Sequence, residues 1–168
     1  MPVPLLVAQV SLAGPGSGNW VFFGAFLLLG EAIRLWAAGV IGRQYRTRGS
    51  EVGSLATGGP YGHVRNPLYI GNTFQWVGLG GFSGPLWALA WLLCAVGLYR
   101  SIVPWEEQQV RAAWPLEFER WSREVPAWIP RVRAYGERGT RFSLAQALRS
   151  ERSTLLVWLG VVALLALT

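Results

Sequence analysis

The sequence lacks lysine altogether and has one cysteine, Cys94, and one histidine, His63, in 168 residues. A single cysteine cannot form a disulfide within the chain, and one cysteine with one histidine falls short of a zinc ligand set. We therefore predict no metal site. Charged residues are also scarce, at 14% of the chain, whereas soluble domains have about 25%.

Hydrophobic residues make up 52% of the chain and are grouped into long blocks. The longest runs from Trp20 to Ile41, and at about 1.5 Å per residue a helix of that length is about 30 Å long, enough to cross a bilayer. Shorter blocks from Leu68 to Phe82, Leu86 to Val103 and Leu155 to Leu167 predict further inserted helices. The segment from Pro2 to Ala13 has no basic start, so we interpret it as a short inserted or interfacial segment rather than a signal peptide.

The fold predicted from these blocks is that of an all-α integral membrane protein with about four to five membrane-inserted helices. We expect a cofactor site on its cytoplasmic face and an amphipathic segment in its C-terminal part. We expect a single domain over residues 1–168, with an additional apolar helix at residues 154–168.

The net charge of +6 comes from arginine alone. A basic excess is typical of nucleic-acid binding or of the positive-inside bias of membrane proteins, and the apolar blocks favour the second, so we expect no nucleic-acid partner. The arginines are concentrated in the connections 42–66 and 105–153, which we predict to lie together on the cytoplasmic side. An arginine-only basic set with abundant alanine and glycine is typical of GC-rich coding sequences, which favours a bacterial inner membrane.

A glycine- and proline-rich loop, Gly58 to Asn66, leads directly into a membrane segment. Its irregular backbone exposes N–H groups, and Arg65 adds a cation that can bind a carboxylate or phosphate. Taken alone, such a loop is more often an ordinary turn.

Adjacent carboxylates, Glu106 and Glu107, follow an apolar block. They imply a cationic or hydroxyl-rich partner, or they complement a helix dipole at a helix start. The segment from Glu106 to Glu124 has apolar residues at helical spacing and predicts an amphipathic helix, which Pro115 kinks or restarts. From Ala134 to Arg152 we expect a loop and a short surface helix.

Two charged residues lie inside the longest apolar block, Glu31 and Arg34, one helical turn apart. A mutual ion pair is the simplest explanation for charges in a membrane span, and a polar contact to the site is the second.

Together the motifs resemble those of the isoprenylcysteine carboxyl methyltransferase and phospholipid methyltransferase group of integral membrane enzymes. The resemblance covers residues 28–131. Its matching residues are Leu29-Gly30, Arg34-Leu35-Trp36-Ala37, Gly59-Pro60-Tyr61, Arg65-Asn66-Pro67-Leu68-Tyr69-Ile70-Gly71, Glu106-Glu107, Glu117-Phe118, Trp121 and Val125-Pro126-Ala127-Trp128-Ile129-Pro130.

The resemblance implies a methyltransferase that uses S-adenosylmethionine at the cytoplasmic membrane boundary. The residues implied to bind the cofactor are Gly59, Tyr61, Gly62, Arg65, Asn66, Pro67, Tyr69, Gly71, Glu106 and Glu107. Arg65 and Glu107 are the predicted catalytic residues. The glutamates would take the ammonium or hydroxyl groups of the cofactor, the loop N–H groups its carboxylate, and Tyr61, Tyr69 and Trp105 would flank its adenine. Arg65 would hold either the cofactor carboxylate or an anionic group of the acceptor.

The expected acceptor is lipophilic or small and hydrophobic: a lipid amine, a carboxylate, a phenol or a thiol that reaches the site among membrane lipids. The sequence leaves open whether oxygen, nitrogen or sulfur is methylated, and it leaves the oligomeric state open. Two other functions also remain open, a fold-related NADPH-dependent lipid reductase and a non-enzymatic membrane scaffold subunit.

Overall fold

A computed structural model of the protein describes residues 2–12, 19–41, 55–136 and 142–166. Within these ranges the chain forms six α-helices and no strand, which confirms the all-α prediction. The helices are α1 (Val3–Leu12), α2 (Trp20–Ile41), α3 (Pro67–Phe82), α4 (Pro85–Ala113), α5 (Pro115–Glu124) and α6 (Leu144–Ala166), and a 3₁₀ turn spans Gly59–Gly62.

Two of the helices, α2 and α4, are long and apolar enough to cross a membrane. α2 coincides with the longest predicted block, whereas α4 continues past the predicted end into a polar stretch. Both helices direct large apolar side chains such as Val21, Leu28 and Leu86 away from the rest of the protein. Lipid can cover such faces at no cost in free energy. The larger number of inserted helices stays a prediction.

Proline determines where three helices begin, because it needs no acceptor for its absent N–H and its fixed φ suits the first helical position. These residues are Pro67, Pro85 and Pro115. Only Ser83 and Gly84 separate α3 from α4, and Gly84 has a φ of 125°, which a residue with a Cβ atom rarely adopts. The tight turn makes α3 and α4 the predicted hairpin, so both polar ends return to the same side.

The boundaries predicted after Glu106 differ from those observed. Residues up to Ala113 extend α4, and a new helix begins at Pro115, which was one of the two alternatives. The predicted loop agrees with residues 134–136 and 142–143, which lie outside the helices. The short surface helix predicted before Arg152 is wrong, because α6 runs unbroken from Leu144 to Ala166 and contains no proline. Its start is fixed by Ser143, whose hydroxyl accepts a hydrogen bond from the Gln146 N–H at 3.4 Å.

An aromatic core lies between α3 and α4 and includes Trp76, Leu79 and Trp91. α1 is attached to this core through Gln9, which is fully buried. The Gln9 amide donates to the Leu79 carbonyl at 3.0 Å and accepts from the Trp91 indole N–H at 2.7 Å. Because its polar groups are hydrogen-bonded, the buried amide costs little free energy and fixes the position of α1.

The predicted ion pair between Glu31 and Arg34 is wrong. The Arg34 Nε donates to Glu151 of α6 at 3.0 Å, and its Nη1 donates to Asn72 of α3. Glu31 instead accepts from the Gln75 amide of α3 at 2.7 Å. Each charge lies where a neighbouring helix packs against α2, so its long side chain reaches a partner there rather than along its own helix. The Arg34–Glu151 pair consequently connects α6 to α2.

The contact between α2 and α3 is close because glycines lie on both sides of it. A Cβ atom on Gly30 would come within 2.6 Å of the Gly71 carbonyl oxygen, and one on Gly71 within 2.8 Å of the Gly30 carbonyl oxygen. Backbone cannot move aside as a flexible side chain can. These two positions therefore require glycine for the helices to approach as they do.

We expect Gly30→Ala to destabilise the protein by about 1 to 3 kcal/mol, the usual cost of overpacking a tight contact. The measurement is the thermal unfolding of the purified protein in detergent. Gly24→Ala is the matched control on the same helix, since a Cβ atom there has nothing within 4 Å, and it should raise stability slightly through helix propensity. Equal melting temperatures for the two variants would contradict the close α2–α3 contact.

Candidate active site

The two polar connections meet at one end of the α3–α4 hairpin. The Arg65 N–H donates to the Pro126 carbonyl at 2.9 Å, the Arg131 N–H to the His63 carbonyl at 2.9 Å, and the Tyr135 N–H to the Gly62 carbonyl at 2.8 Å. The loop before α3 and the segment after α5 therefore run side by side. The sequence predicted that these two polar connections come together, and the structure shows it for the loop at residues 55–66 and the segment at residues 125–136. Arg43, Arg46 and Arg48 of the first connection lie outside the described residues.

Arg65 is the residue that connects these segments to α4. Its Nε and Nη2 donate to the two carboxylate oxygens of Glu107 at 2.9 and 3.2 Å, a bidentate ion pair. Its Nη1 donates to the carbonyls of Ser122 and Val125 at 3.1 and 2.9 Å. Four of the five N–H donors of the guanidinium are thus used within the protein.

Asn66 extends the same network. Its amide donates to Glu107 at 3.3 Å and to the Ala127 carbonyl at 3.2 Å. Glu107 therefore accepts from two consecutive loop residues, and the loop, α4 and the segment after α5 are held as one unit. The side chains of Arg65 and Glu107 are only 17% and 25% exposed, so solvent screens their attraction incompletely.

A cavity of about 390 Å³ lies between the loop, α4 and α5, within the range of small-molecule sites, about 300 to 1,000 Å³. Its polar wall is formed by Arg65, Asn66, Glu106, Glu107 and Gln109. The apolar and aromatic lining consists of Ile41, Leu55, Ala56, Tyr61, Pro67, Leu68, Tyr69, Trp105, Val110, Trp114, Phe118 and Trp121. A few polar groups converging on an aromatic cavity are typical of a site for an organic ligand.

Glu106 differs from Glu107 in its surroundings. It is exposed and makes no ion pair with any residue in the described ranges, and its carboxylate lies near the hydroxyl of Tyr69. Tyr69 in turn packs against Tyr99, with ring centroids 4.6 Å apart. The two adjacent carboxylates therefore differ in their partners. Glu107 is paired with Arg65, whereas Glu106 remains able to bind a cationic ligand.

Seven of the predicted site residues line the cavity: Tyr61, Arg65, Asn66, Pro67, Tyr69, Glu106 and Glu107. The three predicted glycines do not. A Cβ atom on Gly59, whose φ is 55°, would come within 2.8 Å of Val40, and one on Gly62 within 3.2 Å of the Tyr135 carbonyl oxygen. Gly71 lies in the α2–α3 contact. These glycines allow the loop to pack against its neighbours, and cofactor binding by any of the ten residues stays a prediction.

Sequence reasoning did not place the apolar floor of the cavity. Phe118 and Trp121 are 1% and 5% exposed, and the Trp121 indole donates to the Tyr61 carbonyl at 2.9 Å. Val110, Trp114, Phe118 and Trp121 recur at helical spacing, which indicated an amphipathic face. The spacing could not indicate that this face covers the loop rather than a lipid surface.

Among the residues that the structure describes, no three histidine, cysteine, aspartate or glutamate side chains come together as a candidate metal site. His63 is held at the loop by its Nδ1, 2.9 Å from the Arg131 carbonyl oxygen.

Known proteins resemble this chain over a region that includes α2, the loop before α3, and the α3–α4 hairpin. The family model described as phospholipid methyltransferase matches residues 19–115. The cobalt-zinc-cadmium resistance protein CzcN of Cupriavidus metallidurans is 36% identical over 104 residues, which are 61% of this chain and 44% of that protein. The nickel-cobalt-cadmium resistance protein NccN of Alcaligenes xylosoxydans xylosoxydans is 32% identical over 108 residues, 64% of this chain and 47% of that protein. The match thus covers less than half the length of these curated relatives, and no solved structure matches the chain.

Proposed function

Because the chain belongs to the phospholipid methyltransferase family, we propose that it transfers a methyl group from S-adenosylmethionine to a lipophilic or small hydrophobic acceptor. The observation that carries this proposal is the aromatic cavity beside α4, in which Glu106 has no ion pair among the described residues while the Arg65–Glu107–Asn66 network holds the surrounding walls.

The cavity residues fit the chemistry of this cofactor. Glu106 can accept hydrogen bonds from an ammonium group or from ribose hydroxyls, and Trp105 and Tyr61 offer aromatic faces for an adenine. A carboxylate can bind at the start of α3, because the first N–H groups of a helix have no partner within it and Leu68 and Tyr69 occupy that first turn. Arg65 lines the same cavity and adds positive charge near this anion site.

When bound, S-adenosylmethionine supplies an electrophilic methyl group on a sulfonium, and the neutral thioether S-adenosylhomocysteine is left. The residues of the protein contribute by aligning the acceptor with the cofactor and by excluding water from the cavity. The network around Arg65 fixes the loop, so that the residues of the cavity would hold the cofactor and the acceptor in one fixed alignment. The lining of Val110, Trp114 and Phe118 lowers the local dielectric, which favours the reaction of an anionic acceptor with a cation.

We place the site at the cytoplasmic face of a bacterial inner membrane. Arginines flank the polar ends of the α3–α4 hairpin, and such excess positive charge remains on the cytoplasmic side. A cavity at this boundary can receive a water-soluble cofactor from the cytoplasm and an amphipathic acceptor from the lipid. This location is our reason for proposing an acceptor that is lipophilic or small and hydrophobic.

The decisive experiment is a calorimetric titration of the purified protein in detergent with S-adenosylhomocysteine, and separately with NADPH. We expect saturable binding of S-adenosylhomocysteine at one site and none of NADPH. Mass spectrometry of membrane lipids after incubation with methyl-labelled cofactor then identifies the methylated compound. Binding of NADPH alone would indicate the reductase alternative, and binding of neither would indicate a scaffold subunit.

A further inference from the structure

A second cavity, of about 340 Å³, lies between α3 and α4, nearer their connecting turn than the candidate active site is. Ile70, Thr73 and Phe74 of α3 line one side, and Val96, Tyr99 and Arg100 of α4 line the other. Trp128, from the segment after α5, covers one end and stacks on Tyr99 with ring centroids 6.5 Å apart. We call this space the hairpin chamber.

The hairpin chamber adjoins the first cavity through two tyrosines. Tyr69 lines the first cavity and Tyr99 lines the chamber, and their rings are in contact at 4.6 Å between centroids. The Tyr69 hydroxyl also lies near the Glu106 carboxylate. Two side chains, Tyr99 and Tyr69, therefore lie between the chamber and the carboxylate that we assign to the cofactor.

Arg100 is the only cation among the residues lining the chamber. Its side chain is exposed and makes no hydrogen bond or ion pair with the part of the chain that the structure describes. Arg34 and Arg65, by contrast, are each paired with a glutamate. An arginine in a helix long enough to cross the membrane is costly unless an anionic group accompanies it.

The position of Arg100 along α4 defines where that anionic group would lie. Arg100 precedes Glu106 by six positions, which is about 9 Å along a helix axis. Arg100 is thus closer to the membrane interior than the site carboxylates. Ile70, Phe74 and Val96 beside it offer an apolar surface for a hydrocarbon chain.

We propose that the hairpin chamber is the acceptor site and that Arg100 selects an acceptor with a negatively charged group next to its hydrocarbon part. That the occupant is a methyl acceptor rests on the proposed function. It gives Arg100, rather than Arg65, the task of binding the acceptor's anion, because four of the five donors of Arg65 are already used. The anion can be the phosphate of a lipid or the carboxylate of a hydrophobic acid.

The test uses the full chain in nanodiscs of neutral lipid and three brominated dodecyl probes: a phosphate, a carboxylate and an alcohol. Bromine quenches tryptophan fluorescence at short range, and Trp128 borders the chamber. We expect saturable quenching by at least one anionic probe, with an affinity about tenfold or more above that of the alcohol, as one charge-assisted hydrogen bond supplies. Tighter binding of the phosphate indicates a lipid headgroup, and tighter binding of the carboxylate indicates a hydrophobic acid.

Substitutions test which residues cause the preference for the anion and the quenching. Arg100→Gln should abolish the preference for the anion, Arg100→Lys should keep part of it, and Trp128→Phe should remove most of the saturable quenching. Arg120→Gln is the matched control, because Arg120 is also exposed and makes no ion pair among the described residues. Non-saturable quenching, a preference that survives Arg100→Gln, or full quenching in Trp128→Phe would each overturn the inference.

A titration with S-adenosylhomocysteine on the same proteins separates this inference from the proposed function. Arg100→Gln should bind S-adenosylhomocysteine as the parent does, because Arg100 does not line the first cavity. A parent protein that binds the anionic probes but not S-adenosylhomocysteine would refute the methyltransferase proposal and leave Arg100 as an anion-binding residue.

Discussion

Arg65→Lys should lower the rate of methyl transfer about a hundredfold and destabilise the protein by about 2 to 4 kcal/mol. Lysine keeps the charge but cannot reproduce the planar arrangement that pairs with both oxygens of Glu107 and with the carbonyls of Ser122 and Val125. At least two of these four hydrogen bonds should be lost. The loop, α4 and the segment after α5 would then no longer be fixed relative to one another.

Two measurements separate the possible tasks of Arg65. A structural task, or contact with the cofactor, should raise the dissociation constant for S-adenosylhomocysteine in the absence of acceptor, whereas contact with the acceptor alone should leave it unchanged and lower turnover. We expect the first result, together with a lower melting temperature in detergent. Arg123→Lys is the control, since its side chain is 80% exposed and its ion pair with Glu119 is long, at 3.9 Å. Parental activity and stability in Arg65→Lys would show that the network does not organise the site.

Glu106→Gln should weaken the binding of S-adenosylhomocysteine by a factor of about 10 to 100, the value of one charge-assisted hydrogen bond. Its melting temperature should remain that of the parent, because Glu106 is exposed and makes no ion pair among the residues described. Calorimetric titration and thermal unfolding of the same sample measure both quantities.

Glu107→Gln provides the comparison, and the two neighbours should behave differently. This change removes the ion pair with Arg65 and weakens the contact with Asn66, so both affinity and melting temperature should fall. Glu117→Gln is the control, since Glu117 is exposed on α5 and does not line the cavity. If Glu106→Gln unfolds at a lower temperature while binding the ligand normally, the division of tasks between the two glutamates is wrong.

Several features follow from the sequence alone because they depend on local composition. The apolar block from Trp20 to Ile41 is a helix over the same residues, and the prolines at positions 67, 85 and 115 begin helices. The scarcity of charge and the length of the apolar blocks predicted the membrane class, and the paired motifs indicated the methyltransferase family that residues 19–115 match. Each of these properties is a matter of neighbouring residues or of a short motif.

Partners distant in the sequence were decided only by the tertiary structure. Glu31 and Arg34 are one turn apart, yet Arg34 pairs with Glu151, more than a hundred residues away, because α6 packs against α2 at that point. Arg65 and Glu107 were both predicted as site residues, but no pattern indicated that they bind each other.

The same limit applies to the glycines and to Arg100. The sequence places Gly59 and Gly71 within the quoted motifs. Only the packed helices show that a Cβ atom at these positions would contact Val40 or the Gly30 carbonyl oxygen. Arg100 has no distinguishing neighbour in the sequence. It becomes a candidate because folding pairs Arg34 and Arg65 with glutamates and leaves Arg100 beside an apolar chamber without such a partner in the described chain. Composition determines which segments enter the membrane, but the pairing of charges depends on distances that only the packing of the helices sets.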